Sequence, residues 1–244
     1  MTRNFVRATA TLVAVGAALA TAWPVAHAGP PYVIDANGTT TGTFTASASS
    51  VAAVQLTNTR SGAILTCLSS AAQADGTLGS HASGAGLAAI TSLTYATCTG
   101  PGGLVFTVNA SPTVANPALL NASGSTASGV TAITVSNVTA AISGNVGSPT
   151  GPTCNFSVSG SPTVATTPAT VSGTYVNGSA SALPQLKIAS SPGQLYINNI
   201  TGTASAAGSC IAGALRNGDA VVYSGTYDVD TTTPAAGDPL NLNG

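Results

Sequence analysis

The stretch Ala220-Val221-Val222-Tyr223-Ser224-Gly225-Thr226-Tyr227-Asp228-Val229-Asp230 decides the fold. In an extended chain successive side chains point to opposite faces. Val221, Tyr223, Tyr227 and Val229 therefore share one side, while Ser224, Thr226, Asp228 and Asp230 share the other. Such alternation predicts a strand with one dry and one wet face. Asn217-Gly218 stands just before it. Asn-Gly supplies the two positive φ angles of a type I′ turn, so a hairpin between residues 210–216 and 220–230 is expected.

The same alternation recurs outward from this point. Leu104, Phe106 and Val108 alternate with Val105, Thr107 and Asn109 after the turn Gly100-Pro101-Gly102-Gly103, and Phe156 and Val158 alternate after Cys154. Further strands are expected at 43–56, 62–68, 90–97, 130–142, 170–177, 185–189 and 195–203, where runs rich in Ser, Thr, Val and Ile are cut by Gly, Pro and Asn. No long stretch carries a capped helical stripe. The expected fold is all-β, an antiparallel β-sandwich or barrel-like fold of about ten short strands with two disulfides. A weak echo links the residues before Cys98, Ala89-Ile90-Thr91-Ser92-Leu93-Thr94, to those before Cys210, Tyr196-Ile197-Asn198-Asn199-Ile200-Thr201. Two units are too few to carry a repeat architecture, so one domain over residues 29–230 is expected. Residues 76–86 and 231–244, small, polar or broken by Pro, are expected to be a mobile loop and a flexible C-terminal tail.

Composition limits the function. Only 5% of the 244 residues are charged, against roughly 25% in an ordinary soluble domain. Mean hydropathy is +0.37, yet every apolar run after residue 28 is broken by Ser, Thr, Asn or Gly. The chain is therefore not expected to span a membrane with several helices.

Residues 1–28 have the form of a secretory signal. Arg3 and Arg7 supply the positive start, residues 9–22 the apolar middle and Ala26-His27-Ala28 the cleavage site. With this segment removed there is no transmembrane anchor, the cations are Arg60, Lys187 and Arg216, and the anions are six Asp with no Glu. Three cations cannot neutralise a row of phosphates, which excludes nucleic acid as a partner. Cys67, Cys98, Cys154 and Cys210 are an even set in a chain bound for an oxidising compartment. The sequential pairing, 67 with 98 and 154 with 210, closes the shortest loops. Zinc lacks a fitting ligand spacing.

Ile90-Thr91-Ser92-Leu93-Thr94-Tyr95-Ala96-Thr97-Cys98-Thr99-Gly100-Pro101-Gly102-Gly103-Leu104-Val105-Phe106-Thr107-Val108 resembles the central block of small exported four-cysteine proteins common in actinobacteria. Gly208-Ser209-Cys210-Ile211-Ala212-Gly213 to Asn217-Gly218-Asp219, then Tyr223-Ser224-Gly225-Thr226-Tyr227, resembles their C-terminal block. More distantly, the cysteine layout is similar to that of the exported activator of alkane oxidation from pseudomonads. Most of these relatives have no assigned activity, and some carry a cholesterol esterase label. Relatives often show Leu-Pro-Trp before Leu-Asn, whereas Asn116-Pro117-Ala118-Leu119-Leu120-Asn121 lacks the Trp here.

Two functions follow as expectations. The first is a secreted, non-catalytic extracellular or cell-surface β protein with a binding, adhesion or matrix role. Its partner would be a hydrophobic or polymeric ligand, or its own copies through poorly charged strand edges. The second is a small secreted esterase acting on hydrophobic esters. A serine nucleophile needs an oriented base, and after the signal only His81 can supply one, with Asp75 and Ser83 as its neighbours in sequence. No Gly-x-Ser-x-Gly elbow is present. Asp228 and Asp230 share a strand face and, with Asp219, form a weak calcium candidate. Asp35-Ala36-Asn37-Gly38 resembles the start of a calcium loop, but position 12 would be Ala46, which excludes an EF-hand. Seven Asn-x-Ser/Thr sequons reflect composition alone, and no cofactor is expected.

Overall fold

The computed structural model describes residues 31–145, 153–179, 181–203, 209–210 and 213–244. The expected signal and its cleavage site lie outside the described residues. Those described form eighteen strands, all paired antiparallel, and no helix among them is long and apolar enough to cross a membrane. The fold is all-β, as the alternation required.

Three strands are long and unbroken: β4 (Ile64–Thr77), β6 (Ala88–Thr99) and β17 (Ala220–Thr233). The others mostly run end to end in pairs that continue one line. β2 (Thr43–Ser50) leads into β3 (Val54–Asn58), β7 (Val105–Ala110) into β8 (Ala118–Ala127), and β9 (Val130–Val138) into β10 (Ala140–Asn145). β11 (Thr153–Ser159) leads into β12 (Ala169–Val176), and β13 (Gln185–Ala189) into β14 (Leu195–Thr201). Each line pairs with the one before it in sequence, and β17 closes the ring onto both β2 and β3. The result is an up-and-down barrel of eight lines, in which every line pairs with a neighbour on each side.

This corrects the expected strand count. There are eighteen strands rather than about ten, because the lines break near the barrel's middle and because four lay outside the predicted runs: β1 (Tyr32–Ala36), β5 (Gly79–His81), β8 and β18 (Leu240–Asn243). Residues 76–86 are largely not a loop, since β4 runs through Thr77, Leu78 is buried and β5 pairs with β1. Residues 231–244 are not a free tail. β17 continues to Thr233 with Thr231 buried, and β18 pairs with β1 while burying Leu240 and Leu242. β18, β1 and β5 form a small sheet across one end of the barrel. It is fastened there by the Tyr175 hydroxyl, which donates to the Leu240 carbonyl at 2.6 Å, and by the Thr126 N–H, which donates to the Gly244 carbonyl at 3.0 Å.

The hairpin at Asn217-Gly218 is also corrected. A turn is present, with Asp219 N–H donating to the Arg216 carbonyl at 3.1 Å and Gly218 at φ +81°. It joins no hairpin, because β16 (Leu215–Arg216) pairs with β15 (Ser209–Cys210) and not with β17. β17 itself has the expected faces: Val221, Tyr227 and Val229 are buried, and Tyr223 packs against the core. Asp228 and Asp230 lie on the opposite side of the strand, as the alternation requires.

Both disulfides pair as the sequence reading requires, Cys67 with Cys98 and Cys154 with Cys210. The first joins directly opposite residues of β4 and β6. The second ties β15 back to β11.

Candidate functional site

Eight lines make a barrel just wide enough to be filled by its own side chains or to hold one small ligand. Here the filling is incomplete. An apolar cavity of about 120 Å³ lies on the axis at mid-height, and every line contributes to its wall, among them Leu56, Leu65, Leu93, Val108, Val135, Val158, Ile188 and Tyr227. The residues nearest the breaks include the small side chains Ala48, Ala72, Ala118 and Ala140, which explains the unfilled space. A second apolar cavity of about 60 Å³ lies toward the end covered by β1 and β18 and shares Ala48, Ala72, Ile90 and Leu186 with the first.

The wall over the main cavity has a seam. β6 pairs with β8 through residues 88–90 and with β7 through residues 98–99, and among the described residues no strand pairs with that edge over residues 91–97. The chain that runs alongside is residues 111–117, where Pro112 and Pro117 have no N–H to give a ladder. This segment bonds instead to the neighbouring line, with Ser111 N–H donating to the Thr139 carbonyl at 2.8 Å. Irregular backbone brackets the free stretch of β6. The register with β4 shifts between Gln73 and Ala74, and Thr97 has φ +49°, a departure that often re-aims strands beside functional sites. Leu93, Tyr95, Val138 and Thr139, all half-buried, line the cavity beneath the seam.

Three tyrosines and a serine meet at this wall. Tyr223 and Tyr227 hydroxyls are hydrogen-bonded, and Tyr227 donates to Ser70 Oγ at 3.1 Å. Tyr223 must then donate to Tyr227. Tyr95 meets the Tyr223 ring edge-on, with centroids 6.4 Å apart. Burial pushes all three hydroxyls above the ordinary tyrosine range, so they stay neutral donors and acceptors for one another. Their polar ends are thus used internally, and almost all of the cavity lining is carbon.

The residues singled out as an esterase set do not come together. His81, on β5, places Nε2 3.0 Å from the Thr77 carbonyl. A carbonyl can only accept, so Nε2 carries the proton and cannot take one from a serine. Ser83 Oγ accepts from the Ala85 N–H at 3.4 Å, and Asp75 is exposed on β4. No hydrogen bond joins the three among the described residues.

The calcium candidate is likewise dispersed. Asp219 is bonded to Arg60, with Oδ1 2.7 Å from Nε. Asp228 accepts from Gln185 Nε2 at 3.0 Å and Asp230 from the Gly237 N–H at 3.0 Å. Nine residues of extended strand put Asp219 about 30 Å from Asp228, and no group of three metal-ligating side chains occurs among the described residues. A wide polar cleft of about 680 Å³ by Asn37, Ser179 and Asp238 has its carboxylate and amide bonded to each other, Asn37 Nδ2 donating to Asp238 Oδ1 at 3.2 Å.

Sequence reasoning missed the cavity. Alternation puts Tyr223 and Tyr227 on a dry face, but which residues share the barrel's mid-height depends on five lines breaking together beside three continuous ones, and no local pattern records that.

Fold and site together define a closed eight-line barrel with an apolar chamber on its axis. Comparison with known protein families, with curated proteins and with solved structures finds no match.

Proposed function

We propose that this chain is an exported, non-catalytic extracellular protein that acts by binding a hydrophobic small molecule in the interior of its barrel. The axial cavity beneath the seam carries this reading, because a closed barrel with apolar free space is built to hold an apolar guest. Two disulfides support an oxidising destination, as does the secretory form of residues 1–28. The separation of His81, Asp75 and Ser83 removes the geometric support for ester hydrolysis.

The test is to express the full chain with its leader in a secreting bacterial host and recover it from the medium. Intact-mass analysis should give a chain starting at Gly29 with two disulfides. Organic extraction of the folded protein should release an apolar compound in stoichiometric amount. Hydrolysis of a long-chain ester by this protein, lost in His81→Ala at unchanged circular dichroism, would overturn the reading.

A further inference from the structure

We infer that the axial cavity selects a compact hydrocarbon, about the size of one six-membered ring, and discriminates against its hydroxylated counterpart. This rests on the binding reading above and adds the chemical class of the guest. Size follows from volume. A protein cavity of roughly 150 Å³ lined by Leu, Ile and Phe stays dry and takes up benzene, and the chamber here is about 120 Å³.

Polarity follows from the wall. The hydroxyls of Tyr223 and Tyr227, which line the cavity, are bonded to each other and onward to Ser70, and almost all of the lining is carbon. A guest hydroxyl would lose its water and find its natural partners engaged with one another, which is unfavourable. Access is given by the seam between residues 91–97 and 111–117, where side chains rather than backbone hydrogen bonds close the wall. The smaller cavity gives the selectivity an internal check. Leu186 and Ile90 stand between the two chambers, so shortening Leu186 joins them into one longer space along the axis.

The experiment is an amide-resolved NMR titration of the isotope-labelled mature protein with benzene, toluene, phenol and n-butylbenzene. Benzene and toluene should give saturable shifts clustered at Leu93, Tyr95, Val138 and Tyr223, with phenol binding at least tenfold more weakly. Ala118→Leu, which fills the chamber, should abolish the benzene response. Leu186→Ala should turn the preference toward n-butylbenzene, and it keeps the question open to test if Ala118→Leu does not fold. Phenol binding as well as benzene overturns the ligand class and leaves the binding reading intact, whereas benzene binding unaffected by both variants overturns the axial cavity as the site and with it both readings. No response to any of the four probes, together with an empty organic extract, overturns both.

Discussion

Asn58, Arg60 and Asp219 show how few charges this chain uses and where it uses them. Arg60 Nε and a terminal nitrogen reach both carboxylate oxygens of Asp219, at 2.7 and 2.8 Å, and the terminal nitrogen also donates to the Gly213 carbonyl at 2.9 Å. Asn58 Nδ2 donates to the same carboxylate at 2.6 Å, and the Arg216 N–H at 2.8 Å. The turn after β3 is thereby clamped to the segment carrying β16, across the end of the barrel opposite β18. Burial alone would raise the Asp219 carboxyl. Hydrogen bonds from Arg60, Asn58 and Arg216, with the charge of Arg60, outweigh it and hold the group below the ordinary carboxylate value of 3.8. A lowered folded-state value means the clamp contributes stability above that ordinary value and loses it as pH falls through the lowered one. Asp219→Asn should therefore reduce the melting temperature at pH 7, with the gap to wild type narrowing below about pH 4. A gap that stays constant down to pH 2 would show that the carboxylate charge is not what holds this end. None of this was legible from spacing, because Arg60 and Asp219 stand 159 residues apart. The cysteines were legible, since their even number and the rule of shortest loops sufficed.

At the scale of elements, the readable strands were those with strict alternation and a flanking turn, as in β17, β7 and β13. Strands whose partner supplies the order were not readable. β5 has only three residues, Gly79–His81, and β18 is an Asn-Leu alternation beyond Pro239 with no signal of its own until β1 lies beside it. Leu240 and Leu242 are nonetheless buried, and the Asn177 side-chain oxygen accepts from the Leu242 N–H at 2.8 Å. Each buried leucine is worth about 1.5–3 kcal/mol. Removing residues 240–244 should then cost roughly 3–6 kcal/mol of unfolding free energy by the same burial scale, and should open the smaller cavity, which Leu240 and Leu242 line. Chemical denaturation of the shortened chain decides it. A loss under about 0.5 kcal/mol, the size of an ordinary surface change, would mean that β18 rests on the barrel without closing it.

For the whole molecule, the decisive feature is that both ends share their longest strands. β4, β6 and β17 run through the full height, while the other five lines break at mid-height into an upper and a lower piece. The weak echo before Cys98 and Cys210 invites a division into two tandem units, and each disulfide closes within one half of the chain. Strand sharing argues for one unit, because neither the upper nor the lower ring can close without β4, β6 and β17. An upper ring alone would leave the lower halves of three strands with unpaired backbone groups, each costly if buried. Unfolding should consequently be a single cooperative event despite the cavity at the middle. Native-state hydrogen exchange provides the test, with β10 and β11 reporting the upper ring and β9 and β12 the lower. Their slowest amides should exchange with the same free energy and the same denaturant dependence, both matching global unfolding. If the lower set instead opened at a free energy several kcal/mol below the upper, with a denaturant slope about half as steep, the ends would be separate folding units. The chamber would then be a boundary between them rather than the interior of one barrel.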